Sequence, residues 1–310
     1  MNDQGRGHPT RADERAVRVD SQAGIREEAG FFGSGEERLF GLTYGPSTVP
    51  PHAGIVFCEP ILSQFRAHYR VGTLTARALA GAGLAVQRFQ YRGMGNSDGD
   101  ISNLTLDSML EDAGDAAARL REVARVDSVA YFGVNVGAYP AAALSRDGSP
   151  LILDSPPPTG RAYFRAAFRA HGIYVMKEGA EKSASQSLVD EMNETGLTSL
   201  LGCRLPAGLH GSLSVATLQE QIGDDVRPIL LIGPGQSGEL RADVRKVVED
   251  LTGRGIPVTV EIRPKEDPFW YVANLAPENR AETGETAMRI ADWVKEKLPA
   301  TVATEGRAHG

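Results

Sequence analysis

Gly133-Val134-Asn135-Val136-Gly137 follows the apolar run Ser128–Phe132 and leads into a predicted helix, Val136–Leu144, with Pro140 in its first turn, where proline is tolerated. Strand, sharp turn and helix in this order decide the fold class. The two glycines keep the flanks of the turn clear, so the central side chain projects over the end of a sheet. That side chain is Asn135. A carboxamide has no low-energy lone pair for attack on a carbonyl and cannot become an alkoxide or thiolate. The turn is built to present a reactive group, and the residue presented is not one.

Outward from this stretch, apolar runs alternate with amphipathic segments, the pattern of an α/β protein with a mostly parallel, twisted sheet of about eight strands flanked by helices. The predicted strands are Ala29–Phe32, Arg38–Tyr44, Ala53–Cys58, Ala85–Phe89, Ser128–Phe132, Leu151–Leu153, Ile229–Ile232 and Val258–Ile262. Gly33-Ser34-Gly35 joins the first two as a hairpin. Helices are predicted over Arg66–Ala80, closed by Gly81-Ala82-Gly83, and over Leu106–Val123, Leu240–Thr252 and Glu282–Lys297.

Between Ser155 and Arg227 the alternation stops. Pro156-Pro157-Pro158 breaks the chain, and Tyr163, Phe164, Phe168, His171 and Tyr174 follow on a helix-compatible segment. This is long for a connection, and aromatics on an amphipathic helix need an apolar surface to cover. Residues 156–226 are therefore expected to form a helical cap or lid on a core made of 26–155 and 227–299. Residues 1–25 and 300–310 are polar and are expected to be disordered tails.

The chain has 310 residues, 41% hydrophobic and 24% charged, with a formal net charge of -7. That balance argues against nucleic acid as the main partner. No run approaches the roughly 20 apolar residues of a membrane span, and the N-terminus lacks the apolar core of a signal peptide. Cys58 and Cys203 make no disulfide framework, and with six scattered histidines they have no metal-ligand spacing. The expectation is a cytoplasmic protein with a small-molecule substrate, no cofactor and no metal; a homodimer stays open. Gly93-Met94-Gly95 follows a strand but lacks the third glycine of a dinucleotide fingerprint.

Tyr91-Arg92-Gly93-Met94-Gly95-Asn96-Ser97-Asp98-Gly99-Asp100, the turn at Gly133–Gly137, and the strand exit Leu153-Asp154-Ser155-Pro156 with its Arg-and-aromatic helix together resemble the α/β-hydrolase superfamily. Within it the chain is most similar to the exosortase-associated hydrolase-like proteins, relatives of serine-aminopeptidase-type hydrolases. The resemblance runs from about Phe31 to Leu298. It implies a nucleophile at the turn, an acid after a late strand and a His near the end of the chain. Here the turn holds Asn135, and the late acid loop reads Gly233-Pro234-Gly235-Gln236-Ser237-Gly238-Glu239. By its place before Phe269-Trp270-Tyr271, Asp267 falls in the His slot, and the last His before the tail is His210. The triad implied by the resemblance is missing at each position.

A pocket is still expected. The Val136 N–H, at a helix start, and an N–H of the Glu59–Ile61 loop would face an oxyanion or carboxylate, beside the Asn135 carboxamide. Acid–base candidates are Asp267, Asp154 and Glu59, at the carboxyl ends of strands where open α/β sheets bind ligands. Cys58 reads as a buried structural thiol beside that loop, and Phe269, Trp270 and Tyr163 as an aromatic lining or as plain packing. The leading expectation is a non-hydrolytic enzyme running elimination, isomerisation or cyclisation on a bulky apolar natural-product-like substrate. An esterase or thioesterase with carboxylate-activated water and a ligand-binding pseudoenzyme are the alternatives.

Overall fold

Apolar runs that read as continuous in sequence are the strands buried on both faces, as a parallel sheet between helix layers requires. The computed structural model describes residues 15–33, 37–177, 185–236, 238–263 and 280–298. In chain order the elements begin with β1 (Ala16–Asp20), β2 (Ile25–Phe32), β3 (Leu39–Pro46), β4 (Gly54–Cys58), α1 (Leu62–Gly81) and β5 (Ala85–Phe89). Next come α2 (Leu106–Ala124), β6 (Val129–Val134), a single 3-10 turn Asn135–Gly137, α3 (Ala138–Leu144) and β7 (Leu151–Asp154). Then follow α4 (Gly160–Lys177), α5 (Ser185–Thr195), β8 (Leu197–Leu200), β9 (Cys203–Pro206), α6 (Ala207–Val215) and α7 (Leu218–Ile222). The chain continues through β10 (Ile229–Gln236), β11 (Glu239–Leu240), α8 (Ala242–Gly253), β12 (Val258–Arg263) and α9 (Arg280–Lys297).

Ten strands share one sheet, ordered β1-β2-β3-β5-β4-β6-β7-β10-β11, with β12 also paired to β10. The strands β5, β4, β6, β7, β10 and β12 pair in parallel, and β1–β3 form an antiparallel meander at one edge. Because β5 and β6 lie on opposite sides of β4, the strand order reverses there. The carboxyl ends of β4 and β6 flank this reversal, the place where open α/β sheets form their ligand crevice.

Two apolar clusters sandwich the sheet. One joins Ala76 and Leu79 of α1 to Ala287, Ile290 and Trp293 of α9. The other joins Met109 of α2 and Tyr139 of α3 to Phe164, Leu188, Leu209 and Leu213 of the segment after β7. That segment is therefore continuous with the core and includes a β8–β9 hairpin, which the sequence reading left out. The Tyr91–Asp100 stretch is a structural turn. Ser97 Oγ donates to the Gln90 carbonyl at 2.6 Å and accepts from the Phe40 N–H at 2.9 Å, while the Arg92 N–H and Nε donate to Asp112 at 2.8 Å each. Gly93 is at φ +71° with the Asp100–Ile101 backbone against its Cα, so no side chain fits.

One expectation needs correction. Residues 1–25 were expected as a disordered tail, yet Ala16–Asp20 is a strand paired along its length to Ala29–Ile25. Its side chains bury almost nothing, so hydrophobic patterning gave no signal. Backbone pairing holds it, aided by Asp20 and Glu27, which both accept from Arg77 of α1. Residues 1–14, Ser34, Gly35 and the predicted tail 300–310 lie outside the described residues.

Candidate active site

Sheet register decides which side chains meet at the crevice. Gly133 of β6 sits opposite Cys58 of β4 and Leu153 of β7, and Val134 sits opposite Asp154. One residue past the end of each strand the chain leaves the sheet, at Glu59, Asn135 and Ser155. By register Asn135 is level with Ser155, while Glu59 is one step back, level with Val134 and Asp154.

The turn keeps the strained form that its glycines imply. Asn135 has φ +52°, in the left-handed region, where asparagine is among the few non-glycine residues tolerated. A Cβ on Gly133 would strike the Ala138 backbone, and one on Gly137 would strike the Cys58 and Glu59 carbonyls. Asn135 is half-buried, and its Oδ1 accepts a 2.8 Å hydrogen bond from the N–H of Val136. The expected Val136 donor is thus already engaged by the Asn135 side chain. The carboxamide turns its oxygen inward, which leaves the Nδ2 amide as the group facing away from that bond.

Glu59 is not a pocket acid. It is 1% exposed, and its Oε1 accepts from Arg88 Nε at 2.5 Å. Its Oε2 lies 3.0 Å from His68 Nδ1. Arg88 is 3% exposed and also donates to Thr73 Oγ1 at 2.6 Å, and its guanidinium lies over the rings of Phe57 and Tyr69. Burial alone pushes the Glu59 carboxyl up, but the Arg88 charge and the His68 hydrogen bond outweigh it and hold it below the ordinary value. Glu59, Arg88 and His68 form a sealed clamp behind the loop that carries Ile61. Ile61 is buried and caps α1, with no side-chain hydrogen bond there.

Cys58 is fully buried, and its thiol is pushed far up by burial, with Glu59 adding to the shift. It stays a thiol, in agreement with a structural reading. Asp154, 7% exposed, faces the elbow across β6–β7 and accepts from Ser155 Oγ at 2.9 Å and from Arg263 at the end of β12. Sequence reasoning missed Arg263, because its partner lies 109 residues away. His68 and Arg88 were missed likewise: nothing local marks them. Tyr163 is buried against Phe164, ring centroids 5.0 Å apart, in the apolar cluster that also contains Val136. Asp267, Phe269 and Trp270 lie outside the described residues.

Among the described residues, no helix is long and apolar enough to cross a membrane, and no group of three His, Cys, Asp or Glu side chains is placed to hold a metal ion.

The fold is that of the α/β-hydrolases. Solved structures similar to it include Est1E from Butyrivibrio proteoclasticus, at TM-score 0.59 and 13% identity over 87% of this chain and 98% of that one. The Pyrococcus furiosus esterase PF2001 matches at TM-score 0.59 and 14% identity, over 91% and 95% of the two chains. Esterases from the fungus Rhizomucor miehei match at 0.57 and 16%, over 88% and 84%. At such identities the likeness extends to the fold alone. No family model matches the chain, and no curated protein does.

Proposed function

We propose that this chain is a hydrolase-fold enzyme of the kind its sequence resembles, the exosortase-associated group. In this reading it handles a bulky, mostly apolar carbonyl compound without covalent acyl transfer. The observation that carries this is the Asn135–Val136 contact. An acyl-transfer site needs a nucleophile at the elbow and a free N–H to meet the oxyanion. Here the nucleophile position holds a carboxamide, and that carboxamide occupies the N–H. Two roles follow. Asn135 Nδ2 donates to the substrate carbonyl, and its Oδ1 keeps the turn in its strained form. Asp154, one strand over, opposite Val134 and partnered by Arg263, serves as its acid–base group. Asp267 is proposed to line the same pocket. Residues 156–226 would cover it as a cap, with Tyr163 on the apolar side.

The reaction class is elimination, isomerisation or cyclisation, each of which needs carbonyl polarisation and one proton transfer. The test is a panel of cyclisable and enolisable carbonyl compounds, followed by mass spectrometry for isomers and dehydrated products. Turnover is expected in the wild type and a loss of about a hundredfold in Asp154→Asn, in line with removing an acid–base group. An inert wild type across the panel, or hydrolysis of simple aryl esters and acyl thioesters, would sink the reading. The likeness in fold to the esterases above supports the hydrolytic alternative.

A ligand-binding reading is favoured by one further observation: the described carboxylates at the carboxyl ends of β4 and β7, Glu59 and Asp154, are both tied to arginines. A compound recovered unchanged that still raises the melting temperature would select it.

A further inference from the structure

A cavity of about 490 Å³ lies between the first turns of α1, the loop after β5 and strand β9. None of the elbow residues lines it. Leu62, Phe65, Met94 and Ile101 give it apolar walls. Arg66 from α1 and Arg204 from β9 reach it from different layers of the fold. The Arg66 guanidinium is held against the hairpin by a 3.2 Å hydrogen bond to the Leu201 carbonyl, which uses one of its five N–H donors. Asp100 lines the same cavity, and one of its oxygens accepts from the Ser102 N–H at 2.8 Å. Two guanidinium groups and one carboxylate line the hollow, with the Glu37 carboxylate beside Gly99 on its wall. Its volume is within the range of small-molecule sites, about 300–1,000 Å³.

We propose that this cavity binds a small amphipathic carboxylate, an apolar-tailed monocarboxylic acid with its head between Arg66 and Arg204 and its body on Leu62, Phe65, Met94 and Ile101. The apolar walls select the tail, and the guanidinium forks select a planar anion over a neutral head. The site stands apart from the elbow and does not depend on the function proposed there.

Cys203, which lines the cavity, supplies a local reporter. It is partly exposed while Cys58 is fully buried, so a thiol reagent reaches Cys203 first in the folded protein. The experiment measures the rate of dithiodipyridine modification of the full chain with decanoate below its micelle concentration or decanol below its solubility limit, at equal concentrations. Decanoate is expected to slow Cys203 modification at least about tenfold and decanol far less, from the strength of charge-assisted hydrogen bonds. In the Arg66→Gln/Arg204→Gln variant the decanoate effect should vanish; both arginines are exposed, and a melting curve checks that the fold is intact. Equal protection by acid and alcohol, undiminished protection in the double variant, or no protection by decanoate or by anilinonaphthalene sulfonate would overturn the proposal.

Discussion

After β4 the chain seals a charge away; one strand over, after β6, it leaves a neutral carboxamide half-exposed. Glu59 is held by Arg88 and His68 with almost no contact with solvent, whereas Asn135 is half-buried and accepts from its own neighbour. Both are polar residues at the carboxyl edge of the sheet, and residue type and position in sequence mark them equally as candidates. Burial and partners separate them. A carboxylate held by a guanidinium and an imidazole in a dry site is a structural clamp, and a half-exposed polar group at the carboxyl edge of the sheet is a contact for a ligand.

The contrast breaks most sharply at Glu59. Removing its carboxylate leaves Arg88 buried without a counter-ion, so Glu59→Ala is expected to cost about 3–5 kcal/mol in urea unfolding. A loss below 1 kcal/mol would mean that Glu59 is not a clamp. Gly137→Ala comes next, because its Cβ would press on the carbonyls of Cys58 and Glu59 and push the two loops apart. A loss of about 2–3 kcal/mol is expected from such overpacking, read by the same unfolding curve.

The clamp also has a pH signature. The folded-state pKa of Glu59 is held below its ordinary value of 4.5, with burial opposing and Arg88 and His68 prevailing. The stability it contributes is therefore complete above pH 4.5 and drains away as pH falls through the lower folded value. Glu59→Gln should flatten the decline in stability below pH 4.5, measured by urea midpoints at stepped pH. An unchanged slope would contradict the clamp.

At the elbow the expected stability effects are small and functional ones large. Alanine at 135 must hold φ +52° without a carboxamide, so Asn135→Ala should be about 1 kcal/mol less stable than Asn135→Gly. Both variants lose the Nδ2 donor and should lose carbonyl binding alike, by isothermal titration with whichever panel compound the wild type engages. Binding retained in the glycine variant would remove Asn135 from the site.

Much of the fold was legible because β4 and β6 are buried on both faces and read as apolar runs, as does β7 up to Asp154; β5 is equally buried but carries Gln87 and Arg88 between its apolar ends. Strand β1 was not legible, since Val17 and Val19 are exposed and its hold is backbone pairing with ion pairs to Arg77. The elbow was legible from Gly133 and Gly137, two residues that only a close backbone approach requires. The occupation of the Val136 N–H was not, because it depends on which way one carboxamide turns. Nor were the partners of Glu59 and Asp154: Arg88 and Arg263 are 29 and 109 residues distant, and only strand order brings them close.

The question beneath these comparisons is whether the elbow is a triad with one gap or a site rebuilt around Asn135. Asn135→Ser restores the nucleophile position in the same left-handed turn, so the decisive measurement is its hydrolysis of p-nitrophenyl butyrate, with intact-mass detection of a fluorophosphonate adduct. A rebuilt site, with Asp154 tied to Arg263 and Asp267 in the sequence position of the relay histidine, predicts no turnover above wild type and no adduct. Hydrolysis restored by this single change would show that the rest of a serine hydrolase is still in place.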